Sequence, residues 1–424
     1  MRDNHLPYGS ALPGTWTAVP LKYLAALTNG YVFNSSERSD TGTPIIRIEN
    51  LNGSTRFYHS QLSLPKKYRV NSGDLLFSWS GNPGTSFGPY LWTKHGKHYL
   101  NQHIFKVGVF GCDPRWLYWA LIAATRWIER KLTSGMIGMV HVTKEDLASV
   151  PIPVPPVEAQ RRIADFLNAE TARIDNLIRL QGLFVERLAE RERAQLDSAV
   201  DELINRWGTV PLRRFLRGVD QGTSPQADAF SAGPDEWGVL KVSCLRPGRF
   251  FPDENKRLPR DLKPDINHEV RPGDLLITRA NTPQLVGSTA VVPWVRSKLL
   301  LSDKIYRVRV DQRITKEFVA TVARGSRVRD LCAASSNGAS QSMANIRFEE
   351  VKAWPLPAAP LDAQHDLVRR VDRQRSVLDG LRTKVERQVH LLTERRQALI
   401  TAAVTGQFDV STASGRNVTE GVTV

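Results

Sequence analysis

Cysteine and long apolar runs are scarce in this sequence. Its 424 residues include three cysteines, Cys112, Cys244 and Cys332, which are too far apart to form a Cys-x-x-Cys pair. They support neither a disulfide framework nor a zinc ribbon. No apolar stretch approaches the roughly 20 residues that span a bilayer, and residues 1–10 lack the basic and apolar segments of a signal peptide. We therefore expect a reduced, cytoplasmic protein.

Sequence motifs of nucleotide binding and catalysis are missing as well. Without a Gly-x4-Gly-Lys-Ser/Thr phosphate loop, an NTPase is not expected. The Asn/Asp-Pro-Pro-Tyr/Phe motif of amino-methyltransferases does not occur, and residues 252–256 match only part of a nuclease motif. His95, His98 and His103 are close in sequence, yet no second cluster with ligand spacing supports a metal site. We predict no catalytic residue and no metal site.

What the chain does have is a large excess of positive charge. Lysine and arginine total 58 against 43 aspartates and glutamates, a formal net charge of +15. Such an excess favours a polyanionic partner, because each neutralised phosphate releases condensed counterions. Charge by itself leaves a merely basic protein equally open, and it does not separate DNA from RNA.

The chain also repeats itself. Val157-Glu158-Ala159-Gln160 returns as Leu361-Asp362-Ala363-Gln364, an offset of 204 residues that persists to the end of each copy. Upstream, Gly73-Asp74-Leu75-Leu76 returns at an offset of 200, and the offset drifts towards the start of each copy. Drift indicates insertions in loops, whereas a constant offset indicates a rigid element. We predict two copies of a variable domain followed by a segment of fixed length.

The two fixed segments have the periodicity of long helices. Apolar residues alternate at spacings of four and three, from Ile163 to Leu188 and from Leu367 to Leu392, with polar residues and Gly182 and Gly380 as interruptions. Prolines precede both segments, and Gly208 and Gly406 follow them as C-terminal caps. At about 40 residues, each helix is about 60 Å long. We expect the helices to pair antiparallel within the chain; the alternative is that each packs on its own domain.

The flanks of these helices are rich in arginine. A solvated helix face is the simpler explanation, and a surface that docks partner subunits is the more specific one. The candidate docking residues are Arg161, Arg162, Arg187, Arg191, Arg369, Arg370, Arg395 and Arg396.

The variable segments are predicted to be mixed α/β domains. Short β-branched runs bounded by turn residues predict strands at 44–48, 74–79 and 104–109 and, in the second copy, at 239–242, 274–279 and 305–310. Helical stretches follow at 116–132 and 315–332.

Polar residues where the Gly-Asp-Leu-Leu strands end are the candidate base-reading residues. They differ between the copies, and arginine and asparagine pair with guanine and adenine edges. Further candidate DNA-contacting residues come from a second pair of polar loops, 134–141 and 335–345. One basic residue at an equivalent strand position in each domain is also a candidate. Ordinary turn chemistry and salt bridges are the alternatives. The candidates are Arg47, Ser78, Trp79, Ser80, Asn82, Lys241, Thr278, Arg279, Asn281, Asn337 and Gln341.

The order of domains and helix motifs resembles the specificity subunit of type I restriction-modification enzymes. The resemblance covers residues 10–410 and rests on Pro155-Pro156-Val157-Glu158-Ala159-Gln160, on the helix end at 399–410 and on the two Gly-Asp-Leu-Leu strands. The second helix departs from the pattern, because it begins Ala359-Pro360-Leu361-Asp362 rather than Pro-Pro-x-Glu.

The resemblance implies a non-catalytic subunit in the bacterial or archaeal cytoplasm, in which each domain reads one half of a bipartite, asymmetric DNA site. The helix pair would set the unread spacer and dock two methyltransferase subunits, and restriction and translocase subunits would complete the complex. S-adenosylmethionine, ATP and magnesium would belong to those partners, with no cofactor in this chain.

The expected architecture is mixed α/β (α+β): two tandem target recognition domains and two long antiparallel helices forming an intramolecular coiled coil with a pseudo-two-fold repeat. The expected boundaries are 1–154, 155–206, 207–358 and 359–406, with a tail at 407–424. Two alternatives differ in class. One is a DNA-binding adaptor of another defence or regulatory system without methylation, and the other is an RNA-binding protein, which would favour exposed aromatics such as Trp79 on a sheet.

Overall fold

The computed structural model describes residues 12–132, 140–225, 230–335 and 343–410. The chain forms two compact units. The first unit consists of Met1–Gln181 and Arg387–Val424, and the second of Gly182–Glu386. The described part of each unit contains one variable domain and segments of both long helices.

Eight α-helices occur in the described part of the chain. Two of them are much longer than the others, with 51 and 44 residues. No described helix is long and apolar enough to cross a membrane. The helices are α1 (Ile48–Leu51), α2 (Pro114–Leu132), α3 (Lys144–Ser149), α4 (Val157–Trp207), α5 (Lys316–Val322), α6 (Ser326–Ser335), α7 (Phe348–Lys352) and α8 (Leu361–Val404).

The first unit is built on two four-stranded sheets and two short strand pairs. Its strands are β1 (Thr17–Pro20), β2 (Ala25–Asn29), β3 (Thr43–Ile46), β4 (Tyr58–Ser60), β5 (Arg69–Val70), β6 (Leu75–Ser78), β7 (Ser80–Gly81), β8 (Gly88–Leu91), β9 (His98–Leu100), β10 (Ile104–Val109), β11 (Val140–His141) and β12 (Pro151–Val154). The sheet orders are β2-β10-β6-β8 and β4-β3-β9-β5, with the pairs β1-β12 and β7-β11. Between the described strands of this unit, all pairings are antiparallel except β3 with β9.

The second unit repeats this topology. Its strands are β13 (Thr209–Pro211), β14 (Leu216–Gln221), β15 (Gly238–Leu240), β16 (Leu245–Arg246), β17 (Arg249–Phe250), β18 (Asn255–Arg257), β19 (Leu275–Thr278), β20 (Ala280–Asn281), β21 (Thr289–Val291), β22 (Leu299–Leu300), β23 (Ile305–Val310), β24 (Ala344–Asn345) and β25 (Pro355–Pro357). The order β14-β23-β19-β21 corresponds to β2-β10-β6-β8, and β18-β15-β22 corresponds to β4-β3-β9. β19 is buried along its whole length, as is β6.

One predicted helix is wrong in extent. The stretch 315–332 forms two helices, α5 and α6, that are separated by a break ending at Gly325. The carboxylate of Asp197 on α4 accepts hydrogen bonds from the backbone N–H of Ser326 at 2.8 Å and from its hydroxyl at 2.6 Å. This carboxylate caps a new helix start, and because it comes from a distant part of the chain, the local sequence did not reveal it.

A buried glutamine fixes the start of each long helix. The Gln160 side chain accepts from the Asp113 N–H at 2.8 Å and donates to the Pro155 carbonyl at 2.9 Å. Gln364 accepts from the Thr315 N–H and donates to the Ala359 carbonyl, both at 2.9 Å. The repeated Glu/Asp-Ala-Gln motif therefore ties α4 and α8 to the loops that precede α2 and α5.

Within the first unit, the two long helices run antiparallel. Arg396 on α8 pairs with Asp175 on α4 at 2.9 Å, and Gln181 donates to Gln388 at 3.1 Å. Ile163 and Leu167 of α4 share the apolar core of the variable domain with residues 399–404 of α8. Helix pairing and packing on the domain, which the sequence presented as alternatives, therefore both occur.

The second unit has the same arrangement. The carboxylate of Glu192 on α4 lies 2.8 Å from the guanidinium of Arg382 on α8, and Glu202 lies 3.5 Å from Arg370. Residues 196–203 of α4 pack with Leu367 and Val371 of α8 in the core of this unit. The predicted seam is not buried throughout, since 46% of Phe184 is exposed.

Both long helices end at glycines, as predicted. Gly208 follows α4 with φ of 74°, and Gly406 lies just after α8 with φ of 73°. The N–H of Gly208 donates to the Ile204 carbonyl at 2.7 Å. Glycine adopts this left-handed conformation without a Cβ clash, which ends the helix and satisfies its last carbonyls.

Candidate nucleic-acid interface

In the first unit, Trp79 lies between β6 and β7, where the chain leaves the buried sheet. Its indole Nε1 donates to the Gln102 carbonyl at 2.8 Å, and its ring stacks on Phe105 with 6.0 Å between centroids. These contacts hold a half-buried indole in one orientation while part of its surface stays accessible.

Two exposed histidines flank this indole. The ring centroid of His103 is 5.3 Å from that of Trp79, and the ring of His141 on β11 is 6.1 Å away. We call Trp79, Gln102, His103 and His141 the first strand-end cluster. It combines an apolar surface with imidazole groups that donate and accept hydrogen bonds.

The second unit has the same backbone arrangement with different side chains. The Arg279 N–H donates to the Lys304 carbonyl at 2.8 Å, just as the Trp79 N–H donates to the His103 carbonyl at 3.3 Å. Asn345 on β24 pairs with β20 as His141 pairs with β7. We call Arg279, Asp303, Lys304 and Asn345 the second strand-end cluster.

Arg279 interacts with the buried Tyr306. Its Nη1 is 3.4 Å from the Asp303 carbonyl oxygen. Burial raises the pKa of Tyr306, and the Arg279 guanidinium opposes that rise by favouring the phenolate. Arg279 is therefore partly oriented by the protein, and its partial exposure leaves it available to an anion or a base edge.

Four of the predicted base-reading residues are buried. The Ser78 hydroxyl donates to the Ser80 carbonyl at 3.0 Å, and the Thr278 hydroxyl donates to the Leu285 carbonyl at 3.1 Å. Ser80 is 3% exposed, and Asn281 uses its amide to accept from the Thr282 N–H at 2.8 Å. In this conformation, these side chains support the backbone beneath the clusters.

The other predicted DNA-contacting residues have mixed positions. Asn82 is exposed in the turn after β7. The sequence predicted Arg47 and Lys241 within strands, but the structure places them directly after β3 and β15. Arg47 pairs with Glu49 at 3.0 Å, and Lys241 pairs with Glu254 at 3.9 Å. Asn337 and Gln341 lie outside the described residues.

The helix arginines fall into two groups. Arg370 and Arg396 form the ion pairs with Glu202 and Asp175 described above, so they connect the helices. The others are exposed on the helix faces, where Arg187 pairs with Glu190 at 2.7 Å and Arg369 pairs with Asp366. The predicted docking residues outside these two ion pairs, all of them exposed, are Arg161, Arg162, Arg187, Arg191, Arg369 and Arg395.

The sequence analysis missed Gln102, Asp303 and Lys304 and considered His103 only as a metal ligand. A signal was available, because these residues precede the equivalent strands β10 and β23 at one constant offset and differ between the copies. Among the described residues, no group of three or more histidines, cysteines or acids could hold a metal ion.

Comparison with known proteins shows what this chain is similar to. Residues 13–180 match the model of the type I restriction modification DNA specificity domain. The chain is 22% identical over 431 residues to the type I restriction enzyme EcoBI specificity subunit of Escherichia coli, which covers 93% of this chain and 86% of that protein. The chain is thus similar to type I specificity subunits along most of its length. The family model spans Trp79, His103 and His141.

Two further comparisons add detail to this likeness. The chain is 29% identical over 200 residues to the type I restriction enzyme EcoEI specificity subunit of Escherichia coli; this covers 47% of the chain but only 34% of that protein. A solved structure concerned with complex assembly and conformational transition of the type I R-M system matches with a TM-score of 0.66 at 18% identity. It covers 94% of this chain and 100% of that one, and it establishes the fold.

Proposed function

We propose that this chain is the non-catalytic DNA-recognition subunit of a type I restriction-modification complex. One observation carries the proposal: the two units present strand-end clusters on the same backbone scaffold with different side chains. A tryptophan and two histidines in the first unit are replaced by an arginine, a lysine and an asparagine in the second. A common scaffold with divergent side chains suits two readers of two different half-sites.

The chemistry of each cluster suggests what it reads. Arg279 has the donor fork that matches the O6 and N7 acceptors of guanine, and Asn345 suits adenine. Lys304 and the overall excess of positive charge favour phosphate contacts that position the duplex. In the first cluster, Trp79 offers an apolar surface to a thymine methyl group, and His103 and His141 offer hydrogen bonds.

The long helices would serve the assembly of the complex. We propose that the variable domains, approximately 1–154 and 207–358, read DNA, and that the helices between and after them set the unread spacer. The exposed arginines at the helix surfaces would dock two methyltransferase subunits, with restriction and translocase subunits joining them. S-adenosylmethionine, ATP and magnesium would be bound by those partners. A bacterial or archaeal cytoplasmic setting follows from this role.

Selection from random DNA tests the proposal. The full chain, purified with its methyltransferase partner, would be used to enrich duplexes from a randomised library. We expect two conserved blocks of different sequence that are separated by a gap of constant length. Enrichment of one contiguous block, or of RNA in preference to duplex DNA in a parallel selection, would contradict the proposal.

A further inference from the structure

The second unit contains a pocket with an unusual concentration of arginine. The pocket has a volume of about 390 Å³, and seven of its thirteen lining residues are arginines, whereas Glu192 is its single acidic lining residue. This volume lies within the range of small-molecule sites. All of the lining residues belong to the second unit.

The arginines at the base of this pocket are held by a small number of acids. Arg324, with 10% of its side chain exposed, lies 2.6 Å from Glu192, which also pairs with Arg382 at 2.8 Å. Asp379 is shared by Arg249, Arg375 and Arg382. Two carboxylates thus serve several guanidinium groups, and positive charge remains in excess.

The pKa of Arg375 reflects this excess of positive charge. It is lowered to about 10, mainly by burial and then by repulsion from the guanidinium groups of Arg324 and Arg249. A bound anion would relieve that repulsion, since arginine pairs with phosphate through two parallel, charge-assisted hydrogen bonds.

The first unit shows that the repeated fold does not require these arginines. At the constant offset of 204 residues, Arg375 and Arg382 of α8 align with Thr171 and Ile178 of α4. Thr171 is buried and donates to the Leu167 carbonyl at 2.6 Å, and Ile178 packs against the apolar core. The first copy therefore fills the same helix positions with small or apolar side chains.

We propose that this pocket binds a phosphate group, carried either by a DNA backbone or by a free nucleotide. The ligand would be clamped by Arg246, Arg249, Arg375 and Arg382, which line the pocket on α8 and on the β16–β17 hairpin. This site shares no residue with the second strand-end cluster, and phosphate binding there does not depend on the proposed base-reading role.

Pyrophosphate binding to the full chain tests the site. Calorimetric titration would compare the wild type with Arg375→Gln, Arg382→Gln and the matched control Arg373→Gln, an exposed arginine on the same helix. A titration with sodium chloride of the same ionic strength would correct each pyrophosphate titration for the effect of salt. We expect at least a roughly tenfold weaker affinity in the two pocket variants and no change in the control.

A rim variant guards against misfolding, and a DNA arm identifies the source of the phosphate. Arg246 donates to the Ser243 carbonyl at 3.3 Å, so Arg246→Gln leaves the Glu192 ion pairs in place and should also weaken pyrophosphate binding. If pyrophosphate competes with duplex DNA for the chain, the phosphate belongs to DNA. If pyrophosphate leaves the affinity for duplex DNA unchanged and the chain binds ATP, the phosphate belongs to a nucleotide. No pyrophosphate binding by the wild type, or equal binding by all variants, would overturn the proposal.

Discussion

At the scale of single residues, one backbone position carries different chemistry in the two units. Trp79 and Arg279 both follow a buried strand, and each donates its backbone N–H to the residue just before the neighbouring strand. The indole is fixed by the Gln102 carbonyl, and the guanidinium lies by the Asp303 carbonyl. The scaffold thus sets where the side chain emerges, and the side chain sets what it can recognise.

Replacement of Arg279 by alanine should relax base preference at one position of one half-site. A bidentate arginine–guanine contact is worth about 1–3 kcal/mol of discrimination. Selection from a library randomised at each position would measure the change, with the exposed Arg260→Ala as a control for lost charge. A uniform loss of affinity over all sequences would instead indicate that Arg279 contacts phosphate.

His98 should make the stability of the first unit depend on pH. Burial lowers the pKa of His98 from its ordinary value near 6.5, so the folded state holds it neutral. As pH falls below about 6.5, the unfolded chain binds the proton more readily than the folded one, and stability decreases. Above that pH, His98 is neutral in both the folded and the unfolded state, and this loss of stability does not occur.

Denaturant midpoints at about pH 5.5 and about pH 7.5 would measure this effect. His98 packs against Trp92 with 5.0 Å between ring centroids and against Phe57 with 5.8 Å. His98→Phe keeps aromatic packing and should reduce the difference between the two midpoints. An unchanged difference would show that other groups cause the pH dependence.

At the scale of elements, the starts of the long helices depend on one buried glutamine each. Gln364 is 1% exposed and makes three hydrogen bonds with backbone groups, to Thr315, Ala359 and Arg313. These bonds satisfy three backbone groups around a buried side chain, and they connect α8 to the loop that precedes α5.

Gln364→Ala should therefore lower the free energy of unfolding by about 1–3 kcal/mol, the usual cost of leaving buried peptide groups unpaired. Gln374→Ala on the exposed face of the same helix is the matched control and should change stability little. Urea unfolding followed by circular dichroism would measure both. Equal effects in the two variants would contradict the anchoring role.

Elements with a local cause were predictable from the sequence. The strands β6, β10, β19 and β23 follow from short apolar runs between turn residues, and α4 and α8 follow from their periodicity and their flanking proline and glycine. The break between α5 and α6 was not predictable, because its cap is the distant Asp197. The burial of Ser78 and Thr278 was missed for a different reason, because the sequence pattern predicts both as exposed polar ends of their strands, whereas their hydroxyls donate to nearby backbone carbonyls.

At the scale of the whole chain, the proposed function requires two readers connected by helices of constant length. The offset of 204 residues is maintained along the whole of both helices, while the loops of the variable domains differ in length. Loops that vary can change what is read, and helices that do not vary would keep the distance between the two half-sites constant.

Matched insertions should alter that distance alone. Gln181 on α4 lies opposite Gln388 on α8, so four residues inserted after the first and four before the second extend both helices together. Four residues add about 6 Å of helix, equivalent to about two base pairs. We expect a longer unread gap with both half-sites unchanged, measured by selection from random DNA. Altered half-site sequences would reject the role of the helices as a spacer.

The most direct test of the central claim is a map of DNA methylation. The chain would be expressed with the proposed methyltransferase partner in a host that lacks DNA methylation, and modified bases would be located across the genome. Two divergent readers predict methylation within one bipartite, asymmetric motif with a constant unread gap, and Arg279→Ala should relax one of its halves only. No new methylation, with the partner shown to be active and bound to this chain, would contradict the account.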